Sequence, residues 1–101
     1  MYVIIWEFRV KEEYEAEFEQ IYGPDGEWVQ LFKRGEGYLG TELLRDVEQS
    51  RCYLTLDRWY SRAAYEAFQK RWAEAYKELD GRCEGLTEQE VIIGSMVPIE
   101  V

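Results

Sequence analysis

The chain of 101 residues contains no histidine and no asparagine. Without histidine, one chain type cannot build a Ser/His/Asp triad, a Cys/His pair, or a zinc or haem site with histidine ligands. The two cysteines, Cys52 and Cys83, lack the CxxC spacing of metal or redox sites, so we interpret them as free thiols. We therefore expect no metal, and any reaction has to use side chains other than imidazole.

Basic residues are also in short supply. Lysine and arginine number 12 against 21 acidic residues, the net charge is −9, and no basic run is longer than Lys33-Arg34. Since nucleic acids and anionic membranes attract positive surfaces, we expect neither as a partner. There is no apolar run of about 18 residues that could span a membrane, and no signal-peptide pattern at the N-terminus. The expectation is a cytoplasmic protein.

Apolar residues make up 47% of the chain and aromatic residues 16%, which is enough for the core of a single domain over residues 1–101. Changes between strand-like and helical periodicity divide this domain into elements. They predict a strand 2–10, a helix 11–22 that is broken at 23–26, a short helix 27–34, hairpin arms 37–46 and 51–59, a helix from the cap Ser61 to Gly81, a short turn 87–90 and a final strand 91–101.

The predicted order is β-α-β-β-α-β, an α+β ferredoxin-like antiparallel sheet with its helices on one face. The first strand is apolar on both sides, with Ile4 and Trp6 on one side and Val3 and Ile5 on the other. A strand of this kind is normally buried on both faces, but the chain has enough helix for only one layer. We therefore predict a homodimer in which a second subunit covers the other face.

Two short motifs link the hairpin to the second helix: Gly37-Tyr38-Leu39-Gly40 opens its first arm, and Trp59-Tyr60-Ser61 joins its second arm to the helix. In these motifs and their order, the chain resembles the antibiotic biosynthesis monooxygenase (ABM) family over almost its full length. The resemblance implies a dimeric α/β barrel. It also implies oxygenation of a small hydrophobic or aromatic molecule in a pocket between sheet and helices, without metal or flavin, so that no cofactor is expected.

Asp57 and Trp59 are the candidate catalytic residues. The resemblance implies that Trp59 is the tryptophan that stacks on the substrate in the pocket; the alternative is that Trp59 anchors the start of the second helix in the core. Strand alternation places Asp57 on the same face as Trp59 and Arg58 on the opposite face. Asp57 is then the carboxylate nearest to Trp59 and a candidate general base, with a raised pKa if the site is dry. The alternative is a hydrated or salt-bridged aspartate near the end of the sheet.

Five aromatic residues are candidates for binding the substrate. Trp6 lies in the middle of the first strand, and Tyr38 belongs to the first motif. Tyr65, Phe68 and Trp72 recur at helical spacing on the second helix, which indicates either core packing or the wall of a pocket, since one helix face can serve both.

Two functions remain open at this point. The first is an ABM-type enzyme. The second is a non-catalytic homodimeric module that binds a small apolar ligand or a protein partner. The monooxygenase and haem-degrading branches of the family use an asparagine that has no counterpart here, and the haem-binding histidine is missing too. The enzyme requires a cavity with a polar group near Trp59, whereas the binding module does not.

Overall fold

A computed structural model describes residues 1–99. One antiparallel sheet has the strand order β2-β3-β1-β4, with β1 at Tyr2–Val10, β2 at Tyr38–Arg45, β3 at Cys52–Trp59 and β4 at Thr87–Met96. The helices are α1 (Glu15–Tyr22), α2 (Glu27–Phe32), α3 (Arg62–Arg71) and α4 (Ala73–Cys83), and they lie on one face. The α+β ferredoxin-like prediction is confirmed. Within residues 1–99, no helix has both the length and the apolar character to cross a lipid bilayer.

Strand β3 shows how the sequence positions the site. Its alternate residues Tyr53, Thr55, Asp57 and Trp59 are all buried, and they face the helices on what we call the inner face of the sheet. The residues between them are only partly buried and lie on the opposite, outer face. Asp57 and Trp59 therefore share a face, as the alternation of the sequence predicts.

The second helical region begins as predicted but is divided in two. The side chain of Ser61 accepts a hydrogen bond from the backbone N–H of Ala64 at 3.1 Å, which caps the start of α3. Trp72 then leaves the helical conformation and separates α3 from α4. Gly81 does not end the helix, because α4 continues to Cys83, where burial of Leu79 and Cys83 offsets the poor helix propensity of glycine.

The last strand begins earlier than its sequence predicts. The capping-box pattern at 87–90 predicts a turn, but these residues already belong to β4, so that prediction is wrong. Gln89 and Glu90 pair with Arg9 and Phe8 of β1, and this sheet pairing overrides the local preference of the segment. Strand β4 ends at Met96, and residues 100–101 of the predicted strand lie outside the described part of the chain.

No helix of the described chain covers the outer face of the sheet, yet this face is rich in apolar side chains. Cross-strand pairs place Ile5 beside Leu56, Leu54 beside Leu44, and Val3 beside Met96. Leu44, Val91 and Met96 are exposed in the single chain. A sheet face of this composition is typical of an interaction surface.

Candidate functional site

A cavity of about 350 Å³ lies between the inner face of the sheet and the helices. This volume falls in the usual range of small-molecule sites. Its walls consist of six aromatic rings, two threonines and three carboxylates, and no lysine or arginine of residues 1–99 contributes to them. The lining residues are Trp6, Phe8, Tyr22, Trp28, Phe32, Thr41, Thr55, Asp57, Tyr76, Asp80 and Glu90.

Sheet register brings several of these residues together. Asp57 of β3 pairs with Thr41 of β2, and Thr55 of β3 pairs with Trp6 of β1. On the other side of β1, Phe8 pairs with Glu90 of β4. Because directly opposed residues point to the same side of a sheet, these side chains form a continuous strip along the floor of the cavity.

Asp57 ends a chain of three hydrogen-bonded side chains. The hydroxyl of Thr41 donates to Oδ1 of Asp57 at 2.7 Å, and the oxygens of Tyr38 and Thr41 are 2.6 Å apart. Since Thr41 has a single hydroxyl hydrogen, Tyr38 has to donate to Thr41. Oδ2 of Asp57 makes no hydrogen bond within the described residues, and Asp57 lines the cavity. The carboxylate is therefore held at one oxygen and free at the other.

The surroundings of Asp57 favour proton transfer near neutral pH. Its side chain is only 7% exposed, and burial raises the pKa of this carboxyl to about 6, although the hydrogen bond from Thr41 acts in the opposite direction. A base with a pKa in this range is deprotonated at neutral pH and still basic enough to accept a proton in a reaction. Burial also raises the pKa of Tyr38, which keeps its phenol protonated as a donor.

The other two carboxylates of the cavity, Asp80 on α4 and Glu90 on β4, are more exposed than Asp57 and lie toward its mouth. Burial, followed by the charges of Asp80 and Glu84, raises the pKa of Glu90. Within residues 1–99, none of the three cavity carboxylates forms a salt bridge. No group of three or more acidic or cysteine side chains in this part of the chain is arranged to hold a metal ion.

The residues singled out from the sequence occupy three different positions. Asp57 and Trp6 line the cavity, and Tyr38 reaches it through its hydrogen bond to Thr41. Trp59 is fully buried and does not line the cavity. Its ring packs against two candidate residues on α3, with centroid distances of 5.6 Å to Tyr65 and 5.1 Å to Phe68.

Trp72 lies apart from the cavity, between α3 and α4. The guanidinium groups of Arg34 and Arg71 stand 5.0 Å and 5.4 Å from the centre of its ring. These distances are typical of cation–π contacts, so the ring face is occupied by residues of the same chain.

Sequence reasoning did not find several cavity residues. Thr55 lies two positions before Asp57, so strand alternation alone was a sufficient signal for it. Thr41 could be found only from the register of the hairpin. The sequence pattern predicts a turn at Glu90, and Asp80 lies on a helix whose orientation the sequence does not fix.

Comparison with known proteins places this site in a family context. The model of the antibiotic biosynthesis monooxygenase family matches residues 1–79. SnoaB, a cofactor-independent oxygenase from Streptomyces nogalater, has a similar structure with a TM-score of 0.73 and 16% identity, over 99% of this chain and 94% of its own. No curated protein sequence matches the chain significantly.

Two further solved structures share the fold. PA3566 from Pseudomonas aeruginosa has a TM-score of 0.71 and 18% identity, covering 98% of this chain and 94% of its own. Rv0793 from Mycobacterium tuberculosis has a TM-score of 0.75 and 11% identity, covering 99% and 96%. At identities this low, structural similarity shows the fold and does not show the reaction.

Proposed function

Because the chain belongs to the antibiotic biosynthesis monooxygenase family, we propose that it is a cofactor-independent oxygenase acting on a small aromatic molecule in the cavity. The observation that carries this proposal is Asp57, a buried carboxylate with one free oxygen in a cavity walled by aromatic rings. The description of SnoaB as a cofactor-independent oxygenase supports the reaction class. The aromatic walls suit a flat ring, which can stack or meet them edge to face.

The proposed reaction begins with proton removal by Asp57. A ring CH₂ or phenol that neighbouring groups make acidic gives its proton to the free Oδ2, while Oδ1 continues to accept from Thr41. The electron-rich anion then reacts with O₂ directly. The atoms balance without a reductant in both cases. One oxygen atom becomes a carbonyl of the product, a ketone from a ring CH₂ or a quinone from a phenol, and the other leaves as water with two hydrogens of the substrate.

Tyr38 and Thr41 are proposed as positioning residues. Their hydrogen bonds fix the orientation of the Asp57 carboxylate before the substrate arrives. Pre-orientation of this kind lowers the barrier to proton transfer, since the base does not need to rotate or shed other partners at the moment of reaction.

The family resemblance implies that Trp59 stacks on the substrate, and this remains a proposal. Direct stacking would require the rings around Trp59 to part, because the side chain is fully buried. In the described conformation Trp59 supports the end of β3 two residues beyond Asp57. The substrate-binding roles predicted for Tyr65, Phe68 and Trp72 likewise remain predictions.

Oxygen uptake by variants of the cavity tests the proposal. Thr55→Phe places a large ring in the cavity and is expected to lower oxygen uptake with any active phenol or ring-CH₂ substrate at least about tenfold, because a misplaced substrate loses its alignment with the base. Ser50→Phe adds the same side chain at an exposed turn and should leave uptake unchanged. Labelled ¹⁸O₂ should appear in the product.

Two outcomes would contradict the proposal of an oxygenase that works in this cavity. Equal uptake by Thr55→Phe and Ser50→Phe would place the reaction outside the cavity. If the wild type bound ring compounds but took up no oxygen with any of them, the alternative of a non-catalytic binding module would be favoured. The absence of the asparagine that the monooxygenase branch uses is the observation that supports this alternative.

We also propose that a second copy of the chain covers the outer face. This face is apolar at the centre of the sheet, where Ile5 pairs with Leu56, and apolar side chains remain exposed at Leu44, Val91 and Met96. Pairing of two such faces removes this apolar surface from water and builds the barrel expected for the family.

Light scattering after size-exclusion chromatography tests the dimer. The wild type should have twice the chain mass of 12.1 kDa. Leu56→Glu places a charge on the proposed interface in each copy and is expected to give a folded monomer, since buried unpaired charges are costly. Val47→Glu, at a turn residue that is 94% exposed, should remain dimeric. A monomeric wild type would overturn the proposal.

A further inference from the structure

We propose that the cavity selects a ligand that carries a protonated amine next to its aromatic ring. This inference rests on the proposed function, because it specifies the charge of the molecule that occupies the same cavity. It begins from an imbalance in the cavity walls. Asp57, Asp80 and Glu90 line the cavity, whereas no basic side chain of residues 1–99 does, and none of the three is in a salt bridge in that range.

The three carboxylates surround the cavity and do not converge on one point. Asp57 is buried on the floor of the sheet, while Asp80 and Glu90 are contributed by α4 and β4 and are exposed toward the mouth. No group of three acidic or cysteine side chains in the described chain is arranged to hold a metal ion. The negative charge is therefore distributed around a space of about 350 Å³, which suits an organic cation better than a metal ion.

The charge of Asp57 also attracts a cation into the cavity, without occupying the oxygen that acts as the base. Asp57 is only 7% exposed and faces the cavity, and this oxygen makes no hydrogen bond within the described residues. The ammonium group of the ligand can donate charge-assisted hydrogen bonds to Asp80 or Glu90, so that it lies near the charge of Asp57 and leaves Oδ2 open to the reacting group. A carboxylate ligand would meet like charge at the same position.

The aromatic rings of the cavity favour the same class of ligand. Trp6, Trp28 and Tyr76 belong to the lining, and the electron-rich faces of tryptophan and tyrosine attract cations. The rest of an aromatic amine can stack on these rings or on the two phenylalanines of the cavity. Ring faces and carboxylates together recognise a molecule that is apolar at one end and positive at the other.

Three ligands of similar size and different charge test the proposal by calorimetry: phenethylamine, phenethyl alcohol and phenylacetate. At about pH 8 an alkyl amine is protonated, as lysine is, and the carboxylate of phenylacetate is ionised. We expect the amine to bind about tenfold more tightly than the alcohol, from one charge-assisted hydrogen bond and cation–π contacts. Phenylacetate should bind more weakly than the alcohol.

A pair of double variants separates the charge of the cavity from the net charge of the protein. Asp80→Asn with Glu90→Gln removes the two carboxylates at the mouth and should lower the preference for the amine over the alcohol severalfold. Glu17→Gln with Glu74→Gln removes two exposed carboxylates outside the cavity and should leave the preference unchanged. The mutated positions of both variants are exposed, so both should fold, which circular dichroism can verify.

Several results would overturn the inference: phenylacetate binding as tightly as phenethylamine, the same loss of preference in both double variants, or no binding of the amine at millimolar concentration. Oxygen uptake is measured separately, so the two proposals can fail independently. If the protein bound amines selectively but took up no oxygen with any ring compound, the oxygenase proposal would be wrong and the preference for amines would stand. If the protein took up oxygen with a neutral substrate and showed no preference for amines, the amine proposal would be wrong and the oxygenase proposal would stand.

Discussion

Replacing Trp59 by alanine is expected to lower the free energy of unfolding by about 3–5 kcal/mol, as for other large core aromatics. Trp59 is 0% exposed, and its ring lies within 5.9 Å, centroid to centroid, of four other rings, those of Phe32, Tyr38, Tyr65 and Phe68. Such a loss is a large share of the stability of a small domain, about 5–15 kcal/mol. Urea unfolding, followed by circular dichroism at fixed protein concentration, measures it.

The packing around Trp59 leaves little room for relaxation after truncation. A Cβ atom on Gly35 would come within 2.9 Å of both Cζ3 of Trp59 and Cδ1 of Phe68, so the backbone already touches the two rings. The neighbouring groups are held by the sheet and by α2 and α3. Because they cannot collapse freely into the space, most of the cavity left by alanine should persist and add to the cost.

Two further variants serve as comparisons for Trp59→Ala. Tyr60→Ala removes a ring that is 72% exposed and should change stability by no more than about 0.5 kcal/mol. Trp59→Phe retains a ring and removes an indole N–H that has no hydrogen-bond partner within the described residues, so its loss should be smaller than that of alanine. Equal effects of Trp59→Ala and Tyr60→Ala would show that Trp59 is not a central part of the core.

The fold was predictable because its main signals are local. Strand alternation placed Asp57 and Trp59 on one face, and Ser61 was recognisable as the cap of the following helix. The prediction for segment 87–90 was wrong because its structure depends on a non-local contact. Its sequence has the pattern of a helix start, but pairing with β1 makes it a strand, and a long-range contact of this kind leaves no mark in the segment itself.

The site was only partly predictable, because a cavity is defined by empty space and not by residue type. Trp59 and Trp6 are both tryptophans on strands, yet Trp59 is enclosed by rings and Trp6 borders the cavity. The partner of Asp57 depends on the register between β2 and β3, which brings Thr41 directly opposite. Sequence patterns indicate which face a residue occupies, but neither its neighbours across the sheet nor the space left above it.

Replacing Asp57 by asparagine is expected to reduce oxygen uptake about 10²–10⁴-fold, the usual contribution of a positioned base. Wild-type activity should rise with pH through a value of about 6, because the carboxyl has to lose its proton before it can accept one from the substrate. Thr41→Val removes the hydrogen bond that lowers the pKa of Asp57, so the rise in activity should move to higher pH. Steady-state oxygen uptake across pH measures both effects.

Asp57→Asn should also make the folded protein more stable. Burial raises the pKa of Asp57 from 3.8 to about 6, so wild-type stability falls between these two pH values as the unfolded chain ionises more readily than the folded one. The difference corresponds to roughly 3 kcal/mol, from which the cost of burying an amide has to be subtracted. Asp57→Asn should therefore gain stability relative to the wild type as pH rises from about 4 to 6, and keep that gain above pH 6.

Loss of activity together with a gain in stability is the signature that separates a base from a structural carboxylate. If the carboxylate had only a structural role and stabilised the folded state, its replacement would make the protein less stable. Activity would then fall only in proportion to the fraction of folded protein. Asp25→Asn, at an exposed position outside the cavity, is the matched control and should change neither quantity. Retention of full oxygen uptake by Asp57→Asn would remove Asp57 from the mechanism. A fall in stability of Asp57→Asn above pH 6 would show that the ionised carboxylate stabilises the folded state, contrary to the raised pKa.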